Sequence, residues 1–198
     1  SIPRERALMY IIQELYRDKY KFLKIHESSP ANRGVSYKFK KICNNYIQSH
    51  YFPNCESKLI NGFYNIDLQN QYFEDKMFDL VITQDVFEHL PKPDLALKEI
   101  YRTLKKGGYF ISTIPLVNKF NPTVKWADYV DGKIKWLYNP EYHGNPIDEK
   151  GSPVFWHYGY DIANLFIEWS NFTTIIFSLN IERYGIEGEY NDVIVCKK

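Results

Sequence analysis

The chain has 198 residues, the length of one ordinary domain and enough to bury a substantial core. Its 25 Lys and Arg stand against 24 Asp and Glu, a net charge of +1 that gives no electrostatic drive towards nucleic acid. Three cysteines without C-x-x-C or metal-ligand spacing (Cys43, Cys55 and Cys196) read as reduced thiols of a cytoplasmic protein with no metal site, and no apolar run is long enough to span a membrane.

In chain order, Leu8, Ile11, Ile12 and Leu15 recur at helical spacing and predict a helix over about 4–20. A short apolar run, Phe22 to Ile25, precedes the turn-rich segment HESSPANRG. A second helix then follows, with Val35, Phe39, Ile42 and Tyr46 on one face. Tyr46 to Phe52 reads as a strand stopped by Pro53, and Gly62 to Asp67 as a weaker one. Phe78 to Gln84 is a continuous apolar run of the kind that lies in a sheet covered on both faces.

The next helix opens near Pro93 and buries Leu97, Ile100, Tyr101 and Leu104. Lys105 and Lys106 are expected in its last turn, with Gly107 and Gly108 as a left-handed cap. Tyr109 to Ile114 is a strand. From 117 to 158 no period is sustained, and a loop that long within one domain is usually functional. The pattern resumes with a helix carrying Ile162, Leu165, Phe166 and Trp169, then strands near Thr173–Leu179 and Tyr190–Cys196. Strands alternating with helices predict an α/β fold with a mostly parallel sheet. In such a sheet, ligands bind at the carboxyl ends of the strands, which puts Gln84, Asp85, Glu88 and His89 at a pocket rim. Glu88 reads as a solvated acid of a helical turn. The 17 Tyr, 13 Phe and 4 Trp supply core mass and leave room for a homodimer or for a pocket that stacks a flat or sugar ligand.

The run QDVFEHL followed by LKEIYRTLKKGGYFISTIP resembles the fourth strand, helix and fifth strand of class I S-adenosylmethionine-dependent methyltransferases of the type 11 kind. The segment PEYHGNPID, followed by HYGYDI, is similar to a subgroup found among bacterial surface-polysaccharide genes. The resemblance covers nearly the whole chain. It implies one Rossmann-like domain over 1–198, with a seven-stranded sheet, helices on both faces, an antiparallel last strand and an acceptor-side insert over 117–158. It further implies S-adenosylmethionine as cofactor, S-adenosylhomocysteine as product, and a small-molecule or saccharide acceptor methylated on a hydroxyl. In related chains a cysteine-rich segment often precedes the first helix.

By the same resemblance the cofactor residues are Glu27, Ser28, Ser29, His50, Tyr51, Asp67, Leu68, Gln84, Asp85, Val86 and His89, with His26 and His50 in cofactor loops. The first loop departs from the family's glycine-rich form, and no acid follows the second strand to hold the ribose hydroxyls; a neutral His50 accepts only one bond. A hydroxyl acceptor benefits from a base of near-neutral pKa, for which His143 and His157 in the insert are the candidates. Tyr142, Asn145, Tyr160 and Asp161 would bind the acceptor. Two readings compete: a cytoplasmic methyltransferase, and a scaffold domain of the same fold without catalysis. A dehydrogenase is excluded by the absence of G-x-G-x-x-G.

Overall fold

The computed structural model describes every residue except Asn54, Pro146 and Ile147, and all side chains but those of Asn145 and Asp148 besides. Its helices are α1 (Pro3–Tyr16), α2 (Gly34–Ile42), α3 (Pro93–Thr103) and α4 (Ile162–Trp169). The strands run β1 (Ile25–Ser28), β2 (Tyr46–His50), β3 (Leu59–Ile60), β4 (Phe63–Asn65), β5 (Phe78–Gln84) and β6 (Leu104–Thr113). They continue as β7 (Val124–Lys125), β8 (Ala127–Val130), β9 (Lys133–Trp136), β10 (Tyr142–Asn145), β11 (Asp148–Pro153), β12 (Trp156–His157), β13 (Thr173–Ser178) and β14 (Asp192–Lys197). None of the helices among the described residues is long and apolar enough to cross a membrane.

The central sheet has the order β13-β14-β6-β5-β1-β2-β4-β3. Its inner pairs β6/β5, β5/β1, β1/β2 and β2/β4 are parallel, whereas β14 runs antiparallel to both β6 and β13. That is eight strands among the described residues, not seven: the two-residue β3 adds an antiparallel edge beside β4. Adjacent strand residues feed opposite faces, as the pleat requires. Val81, Phe110 and Ile194 face the core that α3 and α4 cover, with Leu97, Ile100 and Phe166. Leu80, Ile82, Ile111 and Val193 face the core that α1 and α2 cover, with Leu8, Ile12 and Phe39.

Several expectations need correction. The first helix ends at Tyr16 and tightens into a 3-10 helix over Arg17–Phe22, and Leu15, expected on the buried stripe, is exposed. Helix α3 ends at Thr103, so Lys105 and Lys106 begin β6 and do not close the helix. Besides Arg102 in its last turn, that helix end meets Lys198, whose Nζ donates to the carbonyls of Tyr101 and Leu104 at 2.5 and 2.7 Å. Gly107, at φ 78°, therefore turns the chain inside β6 rather than capping a helix. The 117–158 insert is a set of short antiparallel pairs, β8/β9, β10/β11 and β12/β7, rather than an irregular loop.

His26 belongs to the core and not to a cofactor loop. It is fully buried on β1, its ring packed against Phe73 and Phe78, with Nε2 2.8 Å from Ser49 Oγ. Burial holds its pKa down to about 3, against 6.5 when exposed. As pH falls below 6.5 the unfolded chain takes up a proton that folded His26 refuses, so stability is lost progressively down to about 3. The loss at pH 5 amounts to about 2 kcal/mol relative to pH 7. Urea unfolding at the two pH values should show that extra loss in the wild type and not in His26→Gln; equal losses would remove His26 as its cause.

Candidate active site

The strand order reverses between β1 and β5, and the crevice outside their carboxyl ends is where an open α/β sheet binds its ligand. Glu27 ends that floor from below. It is fully buried and accepts from Ser36 Oγ at 2.7 Å, Tyr46 Oη at 2.5 Å and Gln84 Nε2 at 2.7 Å. Burial raises its pKa, and the three donors oppose that rise. Glu27 and Gln84 thus tie β1, α2, β2 and β5 together beneath the first loop. They are a foundation for a ligand rather than contacts offered to one.

Above them, Ser28 is buried and Ser29 turns the chain with φ 55°, a left-handed value that glycine adopts more readily. The loop then enters α2 through Gly34, at φ 53°, where an added Cβ would lie 2.1 Å from Glu5 Oε2. Glu5 also takes a bond from Arg33 Nε at 2.7 Å, so the start of α1 lies directly over the loop. The loop thus keeps a left-handed turn without a glycine-rich sequence.

At the neighbouring strand ends, His50 is buried, with Phe63 4.6 Å away ring to ring and Phe52 at 6.0 Å. Its imidazole packs among these rings, and burial lowers its pKa. Tyr51 is exposed. Asp67 takes bonds at Oδ1 from Gln69 N (2.8 Å) and Nε2 (3.1 Å), a local turn that fixes its carboxylate, while Leu68 packs in the core.

At the end of β5, Asp85 has φ 53° and donates its amide to the Thr113 carbonyl at 2.9 Å. Its carboxylate is held by Arg4 from α1 at 3.0 Å and by the Thr113 hydroxyl at 3.3 Å. Burial nonetheless raises its pKa. Val86 is buried beside it. The following 3-10 turn, Phe87–His89, buries Glu88 to 2 % exposure, which corrects its reading as a solvated acid. No other described residue donates to either Glu88 oxygen, and burial, with Asp85 adding to it, pushes its pKa up to about 8. His89 Nδ1 donates to the Pro153 carbonyl at 2.8 Å, and burial pushes its pKa down to about 4.

The insert is anchored on this turn. Phe155 N donates to the Glu88 carbonyl at 2.7 Å, and Tyr158 Oη reaches the Phe87 carbonyl at 3.4 Å. This brings His143 on β10 against the turn, its ring 5.1 Å from that of His89. Gly151, at φ 82°, allows the close approach, since a Cβ there would stand 2.5 Å from the His143 carbonyl. His143 and His157 share one carboxylate: Glu141 lies 3.2 Å from His143 Nε2 and 2.9 Å from His157 Nε2. His157 also stacks on Trp126 at 3.9 Å.

The other acceptor candidates separate. Tyr142 is exposed, its ring 5.4 Å from Trp136. Tyr160 leans on Phe120 and lines a shallow cleft with Leu116 and Asn191, apart from the histidine cluster. Both oxygens of Asp161 are taken by Thr123 N and Oγ1, at 2.6 to 3.0 Å, so it ties the insert to α4 instead of facing an acceptor. The Asn145 side chain lies outside the described residues. Arg4, Glu5 and Glu141 escaped the sequence reading. Arg4 and Glu5 sit on a helix far along the chain from the loops they hold, though Glu141, two residues before His143, was open to notice.

Three comparisons bear on this geometry. Residues 39–112 match the family model described as a methyltransferase domain. A structure of an S-adenosylmethionine-dependent methyltransferase from Mesorhizobium loti superposes with a TM-score of 0.56 over 89 % of this chain and 91 % of its own, at 12 % identity. This is the methyltransferase fold. A 1,6-didemethyltoxoflavin-N1-methyltransferase from Burkholderia thailandensis, solved with S-adenosylhomocysteine, superposes with a TM-score of 0.55 over 98 % of this chain and 79 % of that one, at 14 % identity. A sarcosine/dimethylglycine N-methyltransferase of Halorhodospira halochloris is 46 % identical over 44 residues, a match that spans 22 % of this chain and 16 % of that relative. The matched region is thus similar to methyltransferase domains, and the fold is that of enzymes whose methyl donor is S-adenosylmethionine. The residues present fit that donor: small serines and a left-handed turn at the first loop, and a fixed carboxylate at Asp67.

Proposed function

We propose that the chain transfers a methyl group from S-adenosylmethionine to a hydroxyl of a small molecule or saccharide. The observation that carries this reading is the Glu141 carboxylate shared by two histidines, packed by the insert onto the turn after β5. When bound, the cofactor supplies a methyl group already activated on sulfur, so the protein's task is chiefly alignment and removal of one proton. His157 is suited to that removal. Its Nε2–H donates to Glu141, which leaves Nδ1 as the lone-pair nitrogen, and Glu141 steadies the positive charge that the proton brings. Ser28, Ser29, Asp67 and Asp85 would hold the donor, and Arg4 keeps Asp85 in place. The exposed Tyr142 ring beside Trp136 offers the flat apolar surface on which a sugar stacks, in keeping with the likeness of the PEYHGNPID segment to a surface-polysaccharide subgroup.

The second reading, a scaffold domain, draws on the packed His50 and the glycine-free loop. Calorimetric titration with S-adenosylmethionine and S-adenosylhomocysteine separates the two. Micromolar binding is expected. Asp67→Ala should weaken it by about tenfold or more, the value of a charge-assisted hydrogen bond. No heat at millimolar cofactor would leave the scaffold reading standing.

A further inference from the structure

We infer that Glu88, His89 and His143 form a binding site for one divalent transition-metal ion, with its open positions turned to the acceptor. One ligand atom from each of the three residues lies within 4.8 Å of the others. Glu88 Oε1 is 3.8 Å from His89 Nε2 and 3.9 Å from His143 Nδ1. Those gaps are too long for hydrogen bonds. A mere hydrogen-bonded cluster would aim an N–H of each ring at the carboxylate. Here both N–H groups point elsewhere: His89 Nδ1–H goes to the Pro153 carbonyl, and His143 Nε2–H to Glu141. Each ring is thereby left with a lone pair facing a buried carboxylate that no other described residue satisfies.

Three lone-pair donors converging on an empty centre call for a cation. With bonds of about 2.0–2.2 Å, atoms around a common ion stand about 3.0–3.4 Å apart, so the Glu88 oxygen needs to close on each ring nitrogen by less than about an ångström. The outer partners match what ligating histidines ordinarily have, a backbone carbonyl on one ring and a carboxylate on the other. Two imidazoles and one carboxylate suit a first-row divalent ion such as zinc, manganese, iron or cobalt, and leave coordination positions open. Glu88 and His89 are nearly enclosed, whereas His143 is partly exposed, so the open side is the insert's side, where the acceptor would enter. An oxygen-bearing acceptor could complete the shell there. That use of the open positions rests on the methyl-transfer reading; the binding of the ion does not.

The test is a visible-absorption titration of chelator-treated protein with Co²⁺, in a Cys55→Ser background so that the exposed thiol does not compete. One ion per chain is expected, with ligand-field bands that Zn²⁺ abolishes. Glu88→Gln and His143→Ala should each weaken binding by about 100-fold, and Glu141→Gln by about 10- to 100-fold. Circular dichroism checks that each variant is folded; His143 lies on a short, partly exposed strand, so its variant keeps the test decisive if the buried one fails. Absence of binding at millimolar Co²⁺, or an affinity unaltered in both ligand variants, would overturn the site. A parallel titration of the wild type with S-adenosylmethionine keeps the two readings apart. Cofactor bound without cobalt refutes the metal alone, and cobalt bound without cofactor refutes the methyl transfer alone.

Discussion

Glu27→Ala should cost about 3–5 kcal/mol in urea unfolding, the largest loss expected of a single site-adjacent substitution here. The carboxylate accepts from Ser36, Tyr46 and Gln84, three donors from three different elements. All three donors are at least half-buried and would lose their partner without fully gaining water, and the removed side chain leaves a void beneath the first loop. Tyr46→Phe takes away one of the three bonds and should cost about 1.5–3 kcal/mol. The ranking of the two variants tests the network, since a lone buried acid would be indifferent to Tyr46. If Glu27→Ala cost less than about 1 kcal/mol, the network would be worth no more than the desolvation it has to overcome. Because Ser28 and Ser29 rest on this floor, cofactor affinity should fall with stability in Glu27→Ala.

How much of this was legible follows from how local each signal is. The run Phe78–Gln84 is continuous and apolar, and the strand occupies those very residues. Ile162 and Phe166 repeat at helical spacing and both are buried on α4. The end of α3 was misjudged because its closing cation, Lys198, arrives from the other end of the chain, and because Leu104 pairs with Phe78 as a strand residue. Glu88 reads as solvated because part of what encloses it is remote in sequence. Those residues, Phe155 and His143, come from the insert. The insert itself hid its strands, since the described pairs are two to four residue pairs long and too short to show a period. His26 was drawn into a loop by the resemblance, while its neighbours Phe73 and Phe78 place it in the core.

Glu88→Leu should behave in the opposite sense to Glu27→Ala. In chelator-treated protein it is expected to raise stability by about 1–4 kcal/mol, because an unpartnered carboxyl group leaves the interior and an apolar side chain of similar reach replaces it. The surroundings can take it: Phe87 beside it and Tyr158, whose hydroxyl reaches the same turn, are both fully buried. Local rules broken without a compensating bond are the mark of a functional position, where stability has been given up for binding. The metal reading sharpens this into a crossing of two curves. Without Co²⁺ the variant is the more stable protein. At cobalt about 100-fold above its dissociation constant, the wild type gains about 2.7 kcal/mol by mass action and the variant gains nothing. Urea unfolding of both proteins with and without the ion measures all four states. A variant less stable than the wild type even in chelator would mean that the Glu88 carboxylate is well partnered in the native protein, and the case for an ion between it and the two histidines would go with it.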